Sequence, residues 1–176
     1  ISLLQGDNGY NRYTLDGQVS LLDDYLAWCP EDKEVIRELV QEGKLIIGPW
    51  YTQTDQMVIS GESIVRNLLY GINISKKFGK HMNVGYVPDS FGQSAAMPQI
   101  YKEFGIDDTL FWRGVSDEDT HKTEFKWRGE DGSTVNAYQI QAGYYIGGDI
   151  PEEAENLKNY LHNEPFKSLW GGSSTN

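Results

Sequence analysis

One cysteine in 176 residues means that no disulfide can form within the chain. Cys29 stands in Trp28-Cys29-Pro30 with no second thiol or histidine beside it, so a metal knuckle is excluded. It is expected to be a buried small apolar residue, in a protein of a reducing, cytoplasmic compartment. Long apolar runs are absent as well. The longest clusters are a handful of residues, against the ~20 needed to cross a bilayer, which excludes a helical membrane span and predicts a soluble protein. Positive charge is scarce: 15 Lys and Arg face 26 Asp and Glu, for a net charge of -11. Such a chain is repelled by phosphate backbones and anionic membranes, so neither nucleic acid nor membrane is an expected partner. The three histidines, His81, His121 and His162, form no metal-binding pair and read as solvated surface residues. Glycines are spread singly, with no G-x-S-x-G elbow, phosphate loop or dinucleotide fingerprint, so serine-hydrolase and nucleotide chemistry lose support.

What is present is a regular alternation. Val19, Leu21, Leu22, Tyr25 and Leu26 recur at helical spacing and Pro30 ends the run. "EDKEVIRELVQEG" is a clearer helix, acidic in its first turn and closed by Gly43. "KLIIG" reads as a strand over 44–48, followed by a long loop. Ser60 caps a helix running to about Phe78, with Ile64, Leu68, Tyr70, Ile72 and Ile74 on its apolar side. A strand over 83–88, a helix with Pro98 in its first turn and a strand from Asp108 follow. Helix and strand in alternation predict an α/β fold of parallel βαβ units. These three strands are expected to lie side by side or nearly so. "TEFKWRGEDGSTVNAYQIQ" then alternates about Asp131-Gly132 as a β-hairpin, and Pro151 begins a last helix. No repeat or low-complexity segment interrupts the chain. It begins at Ile1 without a leader and stops in "GGSSTN" without closing an element, so residues 1–176 are expected to be a fragment of one α/β domain.

Ligands of parallel α/β sheets bind on the loops after the strands' C-terminal ends. Three loops therefore matter: one with Trp50, Tyr51 and Asp55, one with Asp89 and Phe91, and one beginning at Arg113. Each residue has a plainer reading. Asp89 could make an Asx-turn or cap a helix, Arg113 could pair with Glu118 or Asp119, and Asp55 could be one more loop carboxylate. The five Trp and 11 Tyr could stack on sugars, although such side chains mostly build cores. What favours a site is that carboxylates, a cation and aromatic rings would meet at one rim.

"GKLIIGPWYTQTDQMVISGESIVRNLLYG", "VGYVPDSFGQSAAMPQIYKEFGI" and "LFWRGV" resemble the catalytic domain of glycoside hydrolase family 38, the retaining α-mannosidases, particularly the bacterial branch that includes mannosylglycerate hydrolase. The resemblance runs over nearly the whole chain, and its most specific piece is Asp-x-Phe-Gly-x-Ser. It implies a partial parallel β/α barrel with a β-hairpin insertion, acting on terminal α-mannosides of a mannose-containing carbohydrate. It places the nucleophile and a zinc ligand on Asp89, a pocket wall on Phe91, and the nucleophile's hydrogen-bonding partner on Arg113. Trp50 is expected to contact the sugar, Tyr144 resembles a tyrosine that reaches the reacting centre, and Asp55 matches a carboxylate of the preceding loop. A retaining glycosidase needs a second carboxylate about 5 Å from the first, as acid. Zinc would serve as template and Lewis acid in the intact enzyme. The family's His-x-Asp zinc motif would precede Ile1, its late zinc histidine has no counterpart, and its acid/base Asp would follow Asn176. The fragment alone is therefore expected to be inactive, to bind zinc weakly or not at all, and to be able to dimerise through exposed sheet edges. The alternative is a non-catalytic carbohydrate-binding or interaction module that keeps a hydrolase-like half-fold. A zinc deacetylase is weaker still, because the paired His and Asp ligands it needs are absent.

Overall fold

The computed structural model describes residues 1–6, 9–116, 118, 120, 122–140, 151 and 153–161. A short helix α1 (Ser2–Gln5) and a two-residue strand β1 (Tyr13–Thr14) open the chain. Helix α2 (Ser20–Trp28) stops before Pro30, where a 3₁₀ turn leads into α3 (Lys33–Glu42). Ile36, Leu39 and Val40 are the buried stripe of α3, and Gly43 ends it at φ 76°. That left-handed conformation is cheap only for glycine, and it lets the Gly43 N–H reach the last free carbonyls. Strand β2 (Leu45–Ile46) follows. In α4 (Gly61–Lys76) the Ser60 side chain accepts the Ser63 N–H, as a capping serine should. Then come β3 (Val84–Val87), α5 (Met97–Glu103) with Pro98 in its first turn, β4 (Asp108–Phe111), β5 (Glu124–Arg128), β6 (Thr134–Gln139) and α6 (Ala154–Leu161).

β3, β4 and β6 run parallel in that order, with β5 antiparallel on the outer side of β6. The hairpin is thus built into the sheet: its second strand continues the parallel series, and only β5 is added at the edge. β1 and β2 make a separate parallel pair, so the 44–48 strand does not join the ladder of the other two. Gly48, at φ 65° two residues past β2, and Pro49, which has no N–H to give, interrupt the pairing with the β1 segment, which resumes only as the single parallel bridge of Gln18 with Trp50. One backbone bond, Met82 N–H to the Ile47 carbonyl at 2.8 Å, ties β2 to the segment entering β3.

Two apolar clusters fill the interior. One gathers Val19, Leu22, Ile36, Leu39, Val40 and Ile47 beneath α2 and α3, and the other holds Leu68, Val87, Met97, Tyr101, Ile106 and Phe111 around the main sheet. Helix α4 serves both, through Ile74 at one end and Ile64 and Leu68 at the other. Its buried stripe follows Ile64, Leu68, Gly71, Ile72 and Ser75, the i, i+4, i+7 spacing of one face. Tyr70 falls off that stripe and is exposed, contrary to the sequence reading, with its ring edge-on to Tyr51. Cys29 is half-buried rather than buried, because α2 ends there at the surface. Among the described residues no helix is long and apolar enough to cross a membrane.

Candidate active site

The register of β3 against β4 builds the site. Val87 stands opposite Phe111, so Asp89 and Arg113, each two residues further on, leave neighbouring strands at the same height. Parallel neighbours are about 4.8 Å apart, within reach of an arginine and an aspartate. The Arg113 Nε–H donates to Asp89 Oδ1 at 2.9 Å. The alternative pairing of Arg113 with Glu118 is not what fixes its side chain. Instead the guanidinium lies over two rings, with Cζ 3.8 Å from the Trp112 centroid and 4.5 Å from that of Phe91. Each such contact stabilises by about 0.5–1 kcal/mol at an exposed site. Both charged side chains keep solvent access, at 35% for Arg113 and 44% for Asp89. The pair is therefore held by rings and a hydrogen bond while remaining open to a ligand.

Asp55, on the loop after β2, accepts the Phe91 N–H through Oδ1 at 2.8 Å. Its place in the site is thereby explained: it fixes the backbone that carries Phe91, whose ring is 58% exposed. Gln53, Thr54, Asp55, Asp89, Ser90 and Phe91 line a cavity of about 290 Å³. That is at the small end of ligand pockets. A larger cavity of about 480 Å³ lies near the start of the chain, between Leu3, Tyr13, Leu21 and Leu39. Its walls are apolar and tyrosine side chains, with no side-chain carboxylate or cation among them.

Trp50 does not reach the rim. Its side chain is 0% exposed, edge-on to Tyr101 at 6.2 Å between centroids, and it belongs to the core of the main sheet. The cause is Gly71: without a side chain, α4 approaches the Pro49–Tyr51 backbone so closely that the loop tucks beneath the helix. Tyr144 lies outside the described residues. Trp112, which sequence reasoning passed over, completes the seat of Arg113.

The fit of a metal can be tested on the donors. Asp89 gives Oδ1 to Arg113, and among the described residues no three His, Cys, Asp or Glu side chains gather as a metal site requires. His81 has its Nδ1 2.9 Å from the Met82 carbonyl, away from these loops. The described residues do not by themselves make a zinc site.

Residues 1–168 match the family described as glycosyl hydrolases family 38, N-terminal domain. The chain belongs to that family. It is 34% identical over 172 residues to a protein of Halalkalibacterium halodurans provisionally named a mannosylglycerate hydrolase, a match over 91% of this chain and 19% of that protein. Among solved structures it resembles an α-mannosidase from Enterococcus faecalis, with TM-score 0.85 and 36% identity over 99% of this chain and 20% of the other. A 4-α-glucanotransferase from Thermococcus litoralis shares the fold alone, at TM-score 0.67 and 15% identity over 93% of this chain and 26% of that one. The chain thus spans about a fifth of the length of the family 38 relatives it matches. The partial α/β barrel implied by the sequence is the family fold.

Proposed function

We propose that this chain is part of a retaining α-mannosidase in which Asp89 is the nucleophile. The observation that carries the reading is the Arg113–Asp89 pair, set at the C-terminal ends of adjacent parallel strands beside the exposed Phe91 ring. The Asp89 carboxylate attacks the anomeric carbon of a terminal mannoside. As that bond forms, the glycosidic C–O bond breaks, and the leaving oxygen takes a proton from an acid outside the described residues. Water then attacks the same carbon, giving a proton back to that acid's conjugate base as the carbon–carboxylate bond breaks, which releases mannose and restores both groups. Arg113 holds Asp89 Oδ1 and so fixes which oxygen is free to attack. Phe91 walls the pocket beside the sugar. Zinc is proposed for the intact enzyme, with Asp89 one of its ligands and the others beyond the described residues; it would supply template and Lewis-acid chemistry. A cytoplasmic location, and pairing of isolated copies through the outer edge of β5, are proposed on the lone cysteine and the open sheet edge.

The test is hydrolysis of an aryl α-mannoside by the full-length protein carrying this chain. Asp89→Asn is expected to abolish turnover, and near wild-type rates would reject the nucleophile. The isolated 176-residue stretch is expected to be inactive even with added zinc. Turnover by it would show that the chain holds its own acid.

A further inference from the structure

Around the rim, each strand-end loop is joined to the next by a glutamine side chain. Gln18, after β1, accepts from the Thr52 hydroxyl and the Gln53 N–H, both at 3.1 Å, on the loop after β2. Gln53 returns a bond to the Asp16 carbonyl at 2.6 Å. Gln56, only 3% exposed, donates to Gln93 Oε1 at 3.1 Å and accepts the Ser94 N–H at 2.9 Å, on the loop after β3. Gln93 in turn donates to the Arg113 carbonyl at 3.1 Å, on the loop after β4. From the end of β6, Gln139 donates to the Trp112 and Val115 carbonyls at 3.3 and 3.1 Å.

A primary amide donates and accepts at once, from two separate atoms at the end of its side chain, without carrying charge. Charge matters at this place. A carboxylate at 93 would lose the donor to the Arg113 carbonyl, and one at 56 the donor to Gln93, while adding a charge to the network that holds Arg113. A lysine would lose the acceptor end. The loops after β3 and β4 are also in backbone contact, since a Cβ on Gly114 would stand 2.8 Å from Gly92 Cα and from Gln93 N. Gly114, at φ 98°, therefore admits the approach that brings the Gln93 amide onto the Arg113 carbonyl.

The geometry points to Gln56 and Gln93 as positioning residues for the reaction, an inference that rests on the functional reading above. Gln93 holds the backbone of Arg113, Gln56 holds Gln93, and the Arg113 guanidinium closes the circuit on Asp89, four residues before Gln93. Neither glutamine is needed at the reacting carbon. Their effect passes through the direction in which Arg113 presents its Nε–H, and with it the free oxygen of Asp89.

The experiment combines kinetics and crystallography on the full-length protein. Gln93→Ala is expected to lower kcat for an aryl α-mannoside by about tenfold to a hundredfold, the scale of a misplaced catalytic group, with KM moving by no more than about twofold. In an Arg113→Ala background the same substitution is expected to cost no more than about twofold further, because the route is already cut. Losses that multiply independently would mean a merely structural role and overturn the inference. The crystal structure of Gln93→Ala is expected to show the Arg113–Asp89 contact lengthened past about 3.5 Å. A contact still at 2.9 Å would overturn the positioning role whatever the kinetics. Should Gln93→Ala fail to fold, Gln56→Met and Gln93→Met keep the side-chain length without amide or charge and give the same two readouts. If the unmodified protein hydrolyses no α-mannoside, the functional reading fails, while the crystallographic distance still decides the positioning role.

Discussion

Gly71→Ala is ordinarily a favourable change in the middle of a helix, where alanine stabilises by about 1 kcal/mol over glycine. Here it should do the opposite. A Cβ at position 71 would stand 2.2 Å from the Pro49 carbonyl oxygen, 2.2 Å from the Trp50 carbonyl carbon and 2.4 Å from the Tyr51 nitrogen. Carbon contacts relax to about 3.5–4.0 Å, so helix or loop must give way by more than ~1 Å. All three atoms are backbone, and no rotamer change relieves them. The loop is also pinned to α4 by Asn67, whose side chain accepts the Tyr51 N–H at 2.9 Å and donates to the Thr52 carbonyl at 2.8 Å. Overpacking of this kind costs about 1–3 kcal/mol, and each hydrogen bond broken adds about 0.5–1.5. With both Asn67 bonds lost and the helix gain subtracted, a net loss of about 1–5 kcal/mol is expected. Urea unfolding measures it as a lower midpoint at unchanged slope. Gly61→Ala, with nothing within 4 Å of the new methyl group, is the control and should be neutral or stabilising. If Gly71→Ala matched Gly61→Ala, the account of why Trp50 is buried would be wrong.

Arg113→Lys should retain the charge but lose the Nε–H donor and the planar stacking over Trp112 and Phe91, lowering kcat/KM by about tenfold or more; wild-type kinetics would show that charge alone suffices. Tyr101→Phe removes a fully buried hydroxyl with no partner in hydrogen-bonding geometry, so stability should change by less than about 0.5 kcal/mol or rise. A loss above about 1.5 kcal/mol in thermal or urea unfolding would show that the hydroxyl is engaged. In the hairpin turn, the Ser133 hydroxyl and N–H hold the Asp131 carboxyl below its ordinary value. A carboxyl so depressed contributes stability above its unfolded pKa and loses it as pH falls through the folded one. Asp131→Asn should therefore weaken the fold near neutrality, and the difference from wild type should shrink as pH falls through the carboxyl's depressed range in pH-dependent unfolding. A difference independent of pH would contradict this.

Much of the frame was legible because local chemistry and tertiary need agreed. Ser60 capped the helix its position announced, Gly43 closed α3, and the Asp131-Gly132 turn set the hairpin. Asp89 and Arg113 were legible for the same reason, each standing just past an apolar strand. Trp50 was misread because an aromatic in a loop offers the same letters whether it faces a sugar or a core. The deciding residue, Gly71, lies twenty-one positions away on another element. β1 is too short to show alternation, and the isolation of β2 depends on how Gly48 and Pro49 interrupt its ladder. The glutamines left no trace, since neutral amides scattered through loops form no pattern until the loops are brought together.

The claim that Asp89 is the nucleophile can be tested without reference to turnover. The full-length protein is incubated with a fluorinated mannosyl fluoride, whose electron-poor ring slows release of the glycosyl-enzyme, and is then digested for mass spectrometry. A fluoromannosyl adduct, formed with loss of the anomeric fluoride, is expected on the peptide containing Val87-Pro88-Asp89-Ser90-Phe91 and absent from Asp89→Asn. An adduct on another carboxylate, with Asp89 unlabelled, would contradict it.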